Sequence, residues 1–231
     1  MAKFRGRALL PSKFVYSYLL PNLFSNLHYF RMLKHPIRRY FRFNDPDVDI
    51  PVSQISLRVN EVCNLRCASC GQWGENGHLR KKLEEGQRLK ELDFDVVKRV
   101  VFETRHDNPM YYIWGGEPSM WKPLLPLFKE LAKYKLFGSI VTNSQSLDPI
   151  VEDLIDTASL NILFLSLDGW DSDSQNIMRS PASGKNSKNF EKTMAIIERV
   201  DAIKKKKNLK MPFVIPITVV SNANYMHLSE I

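Results

Sequence analysis

From residue 53 onward the chain alternates strand-like and helix-like patterns, and this alternation constrains the fold more than any other feature. Residues 55–60 (Ile-Ser-Leu-Arg-Val-Asn) switch between apolar and polar with the period of a strand. Residues 93–103 then set Phe94, Val97 and Val101 at helical spacing behind Asp93, a candidate N-cap. A short apolar run, 111–114, stops at Gly115-Gly116. A helix is predicted over 121–135, with Leu124, Leu125, Phe128 and Leu131 inward, and a strand over 139–142. Asp148-Pro149 opens the next helix at a position that tolerates proline. Residues 161–167 read as a buried strand ending at Asp168-Gly169, and 188–205 as a helix with Phe190, Met194 and Ile197 on one face. A fifth strand is expected over 213–220, with another helix beginning before Ile231.

Five β–α repeats predict an α/β fold whose parallel sheet is wound by right-handed crossovers, either open or curled into part of a barrel. Both arrangements place ligands on the βα loops, at the carboxyl ends of the strands. Those loops are therefore where chemistry is sought.

Charge divides the chain in two. The net charge is +8, yet residues 1–44 hold nine basic side chains and no acidic one. The remainder carries 24 basic against 25 acidic residues, a net of −1. A near-neutral body argues against a nucleic-acid-binding module. The basic lead also carries 10 of the 25 aromatics. Its uncharged run, 14–30, contains Pro21 and several polar residues, so it is too short and too polar to span a membrane. Residues 1–50 are expected to form a short helical N-terminal extension between Pro11, Pro21 and Pro36. Peripheral contact of 1–44 with an anionic membrane is the second reading, and an organellar presequence the third. Residues 51–231 would form the core domain.

The three cysteines, Cys63, Cys67 and Cys70, lie within eight residues. So odd and tight a set does not form a disulfide framework and implies a reducing, cytoplasmic setting. Structural zinc takes four protein ligands, and no second C-x2-C or H-x3-5-H pair is present, although His78 could complete such a site. Thiolates also suit iron–sulfur clusters, and a four-iron cluster held by three leaves one iron open. Ordinary loop cysteines are the plain alternative.

Cys63-Asn-Leu-Arg-Cys67-Ala-Ser-Cys70 resembles the C-x3-C-x2-C loop of the radical S-adenosylmethionine (SAM) superfamily. The resemblance spans roughly 53–225 and implies a partial (β/α)6-type barrel, of which this chain would hold five units. It implies a [4Fe–4S] cluster on Cys63, Cys67 and Cys70, with SAM on the open iron. Reductive cleavage would then give a 5′-deoxyadenosyl radical that abstracts hydrogen from an unknown substrate, with an electron donor such as flavodoxin or ferredoxin.

The same resemblance assigns Gly115, Gly116, Glu117 and Pro118 to the methionyl amino group, and Ser166 and Asp168 to the ribose and methionine carboxylate. Asn143 matches a ribose contact, Asn222 is a weaker candidate, and Arg179 resembles an arginine that pairs with the cofactor carboxylate. Each also has a plain reading as a turn former, cap or solvated charge. One departure is Ser69, where many members place an aromatic before the third cysteine; Trp73 is the candidate substitute. The runner-up function is a non-catalytic iron–sulfur or zinc-binding scaffold of the same fold. Lys204–Lys207 reads as a solvated helix end, and His78, His106 and His227 show no paired spacing. No residue is singled out as a general acid or base.

Overall fold

A computed structural model describes residues 51–184 and 188–231. Expectations about residues 1–44 lie outside the described residues. In chain order the elements are β1 (Gln54–Arg58), β2 (Leu65–Cys67), α1 (His78–Glu84), α2 (Phe94–Thr104), β3 (Met110–Trp114), α3 (Leu124–Lys133) and β4 (Phe137–Thr142). There follow α4 (Val151–Asp156), β5 (Leu160–Ser166), α5 (Ser172–Met178), β6 (Arg179–Pro181), α6 (Asn189–Lys207) and β7 (Phe213–Ile217).

Five strands form one sheet in the order β1-β3-β4-β5-β7, parallel at every pairing. The order never reverses, so each crossover returns on the same side and the helices collect on one face. Leu57, Tyr111, Ile113, Ile140, Leu163 and Leu165 bury that face against Val97 and Val101 of α2, Leu127, Phe128 and Leu131 of α3, Leu154 of α4, and Ile196 and Val200 of α6. The alternate residues Tyr112, Trp114, Val141 and Ser166 point to the opposite face, where they line a cleft. This is the wall of an open, partial barrel.

The caps explain several boundaries. Asp93 begins α2 by accepting from the amides of Asp95 at 2.7 Å and Val96 at 3.3 Å. Helix α3 starts at Leu124 rather than at 121, because Lys122 precedes Pro123 and a pre-proline residue avoids the helical region. The last unit differs most from expectation. Strand β7 ends at Ile217, and a 3-10 turn at Tyr225–His227 stands where a helix was expected. Among the described residues the sheet has five strands but four long crossovers. The lysine run is also less solvated than predicted: Lys204 donates to the Pro212 carbonyl at 2.9 Å, and Lys207 meets Glu152 at 2.9 Å and Asp156 at 2.5 Å. No described helix is long and apolar enough to cross a membrane.

Candidate functional site

Strand β1 carries the chain to the cleft and then unwinds into the cysteine loop. Its exit is laced to the loop after β3: Gly116 N–H donates to the Asn60 carbonyl at 2.9 Å, Glu117 N–H to the Val62 carbonyl at 2.7 Å, and Asn60 Nδ2 to the Glu117 carbonyl at 2.9 Å. A Cβ on Gly116 would lie 2.1 Å from the Val62 oxygen, and one on Gly115 2.7 Å from the Asn60 oxygen. The two glycines let these backbones meet immediately before Cys63. Glu61 steadies the same exit, its carboxylate held below the ordinary range by Lys82 at 2.5 Å and the Lys90 amide at 2.8 Å.

Cys63, Cys67 and Cys70 all line a cleft of about 290 Å3 at the carboxyl ends of the sheet strands. Gly115, Gly116, Glu117, Asn143, Ser166 and Arg179 share the cleft. Each sulfur has an N–H donor. Cys63 Sγ accepts from Leu65 N–H at 3.5 Å and Asn143 Nδ2 at 3.9 Å, Cys70 Sγ from Trp73 N–H at 3.4 Å, and Cys67 Sγ from Arg179 Nη1 at 3.9 Å. Burial pushes the Cys63 thiol up to about 12 and raises that of Cys67, the latter against the pull of Arg179. Among the described residues no three His, Cys, Asp or Glu side chains converge on a point that one metal ion could occupy. His78 is exposed, with Nδ1 3.1 Å from the Gly71 carbonyl, and does not line this cleft. Three thiols around one cleft, each beside an N–H donor, fit the three-thiolate end of an iron–sulfur cluster.

The carboxylates Glu117 and Asp168 are each held by partners within the fold. Glu117 is buried. Its Oε1 accepts from Ser119 N–H at 3.0 Å, Ser119 Oγ at 2.6 Å and Thr142 Oγ1 at 2.6 Å, while Oε2 accepts from Asn143 N–H at 2.8 Å. Three of these bonds converge on Oε1, and Oε2 accepts one. Burial pushes the carboxyl above its ordinary range, against those bonds. Glu117 thus braces the end of β3 against that of β4, and it lines the cleft together with Gly115 and Gly116. Pro118 starts the 3-10 turn capped by Glu117 and does not line the cleft.

Asp168 is wholly buried and outside the cleft lining. Its Oδ1 accepts from Val219 N–H at 2.8 Å, and its Oδ2 forms an ion pair with Arg179 Nε at 2.8 Å whose angle falls short of a hydrogen bond. Asn222 is exposed and away from the cleft. Asn224, two residues on, is buried, its Nδ2 donating to the Asp168 and Val219 carbonyls, both at 3.0 Å. Asn143 caps a turn, its Oδ1 accepting from Gln145 N–H at 3.0 Å, while its Nδ2 donates to Asn64 Oδ1 at 2.8 Å and lies 3.9 Å from Cys63 Sγ.

Ser69 and Trp73 both line the cleft. The Trp73 ring is nearly buried, covered by the Arg66 guanidinium 4.0 Å from its centroid and tied through Nε1 to the Glu61 carbonyl at 2.9 Å. Larger aromatic surfaces come from Tyr112 and Trp114. Sequence reasoning missed both by treating 111–114 as one apolar run. Period-two alternation was the available signal, since Tyr111 and Ile113 face the helices.

The family model described as the radical SAM superfamily matches residues 57–231. The chain belongs to the radical SAM superfamily. Among curated proteins it is 27% identical over 123 residues to a probable GTP 3′,8-cyclase of Pyrococcus abyssi, covering 52% of this chain and 36% of the relative. It is 29% identical over 175 residues to an uncharacterized protein of Methanocaldococcus jannaschii, covering 74% of this chain and 38% of the relative. This radical SAM chain therefore matches little more than a third of those relatives' own length. Among solved structures it is similar to Streptococcus suis SuiB bound to S-adenosylmethionine, at TM-score 0.49 and 14% identity, over 92% of this chain and 53% of that one.

Proposed function

We propose that Cys63, Cys67 and Cys70 hold a [4Fe–4S] cluster and that the adjoining cleft binds SAM. The observation that carries this reading is the arrival of all three cysteines in one cleft with Gly115, Gly116, Asn143, Ser166 and Arg179. When bound, the cluster and SAM together supply one-electron cleavage of the sulfonium to a 5′-deoxyadenosyl radical, which abstracts hydrogen from a substrate. This chain's residues bind and orient. The Gly115-Gly116 backbone meets the methionyl amino group, Ser166 and Asn143 meet the ribose, and Arg179 supplies positive charge for the carboxylate. Tyr112 and Trp114 close one wall of the cleft with apolar surface, which limits water around the reacting centre. A one-electron donor such as flavodoxin or ferredoxin belongs to this reading.

Anaerobic reconstitution with iron and sulfide tests it. The expected result is a brown [4Fe–4S] chromophore and 5′-deoxyadenosine on addition of dithionite and SAM. Cys67→Ala should lose both signals. A colourless wild-type protein, or a loaded one that yields no 5′-deoxyadenosine, would overturn the proposal. Peripheral membrane contact through residues 1–44 is tested separately by vesicle sedimentation with and without that segment; equal sedimentation removes it.

A further inference from the structure

Strands β2 and β6 form a small antiparallel ribbon in which Cys67 is registered directly opposite Arg179. The guanidinium is divided between two partners: Nη1 lies 3.9 Å from Cys67 Sγ and Nε lies 2.8 Å from Asp168 Oδ2. The Asp168 side chain is 0% exposed and that of Arg179 12%. A carboxylate withdrawn from water needs a compensating cation, so the pair holds together. Asp168 is fixed from three further directions. Val219 N–H donates to its Oδ1 at 2.8 Å, Asn224 Nδ2 to its carbonyl at 3.0 Å, and its own N–H donates to Gln175 Oε1 at 2.8 Å. Among the described residues the donors to Cys63 and Cys70 are neutral amides, whereas the donor to Cys67 is a charged guanidinium.

We propose that Arg179, positioned by Asp168, raises the reduction potential of the iron–sulfur cluster through its contact with Cys67. The inference rests on the cluster reading above and goes beyond the carboxylate-pairing role implied by family resemblance. Reduction adds negative charge to a cluster and its sulfurs. A cation and N–H donor fixed at one sulfur stabilises the reduced state more than the oxidised one. The contact is longer than the backbone amide contacts, 3.9 Å against 3.5 Å at Cys63 and 3.4 Å at Cys70, and differs from them in that its donor is charged. Asp168 is a positioning residue: it touches no sulfur, and it fixes where the guanidinium stands.

The test is a redox titration of the reconstituted full chain, followed by the electron paramagnetic resonance signal of the reduced cluster, with no SAM present. Arg179→Gln should weaken the reduction equilibrium roughly tenfold, which is about 59 mV to the negative for a one-electron couple. Arg179→Lys keeps the charge but lacks the fork that serves both partners, so its potential should fall between the two. A wild-type potential in Arg179→Gln overturns the proposal and leaves only a role in holding SAM. Should the glutamine variant fail to fold or load, the lysine variant decides, and a wild-type value there is equally fatal. A wild-type protein that loads no cluster fails the cluster reading itself, a distinct result.

Discussion

At Gly116 a single missing atom matters, because a Cβ there would stand 2.1 Å from the Val62 carbonyl oxygen. Backbone cannot yield as a flexible side chain does. Gly116→Ala should therefore destabilise the domain by about 1–3 kcal/mol, as overpacking does, and displace the exit toward Cys63. Urea unfolding checks the first effect and iron content after reconstitution the second. The residues around this loop show what a sequence can and cannot reveal at this scale. The three cysteines were legible because their spacing is their own. Most partners of Glu117 and Asp168 were not, because apart from the nearby Ser119 they arrive from farther along the chain: Thr142 and Asn143 from the end of β4, Val219 from beyond β7. An acid's type can be read locally, whereas the donors that occupy it depend on which loops become neighbours.

Elements were legible where period and capping agreed. Helix α2 follows Asp93 as the sequence predicts, and each of the five long strands falls within a few residues of its expected place. The β2–β6 ribbon and α1 were not foreseen. Three-residue strands carry too little pattern to register alone, and this pair depends on a contact between residues 112 apart in sequence. Strand β3 supplies a test of facing. Tyr111 is buried on the helix side with its hydroxyl 2.6 Å from Thr104 Oγ1, and burial raises its phenol from the ordinary 10.0 to about 12. Below pH 10 the phenol is protonated in folded and unfolded chains alike. Between about 10 and 12 only the unfolded chain ionises, so this group costs stability as pH rises. Tyr111→Phe should flatten that part of the decline, as measured by urea midpoints at pH 9 and pH 11. An equal decline in both proteins would place the tyrosine elsewhere.

For the molecule as a whole, the unreversed order of five parallel strands is decisive. It puts the long crossover helices on one face and leaves the other to form the cleft wall, so the apolar core and the cysteine-lined cleft occupy opposite sides of one sheet. Leu163, at the centre of the helix-side core and 0% exposed, provides the check. Leu163→Ala should cost about 2–5 kcal/mol. At this domain size each kcal/mol lowers Tm by roughly 2–4 °C. The side chain faces away from the cysteines, so the folded fraction should retain its capacity for cluster loading. A loss of loading at unchanged Tm would contradict this separation of faces.

Read alone, the chain settles the alternating α/β class and marks the strand-end loops and the three closely spaced thiols as the candidates for chemistry. Those features follow from short-range periodicity and spacing, which a linear chain carries in full. Only the tertiary structure decides which donors meet Glu117 and Asp168, that Asn224 ties the last loop to Asp168, and that Arg179 stands at Cys67. The physical reason is burial. A polar group withdrawn from water must be met by whatever donors and acceptors the fold brings to it, and that company is assembled only when distant strands become neighbours.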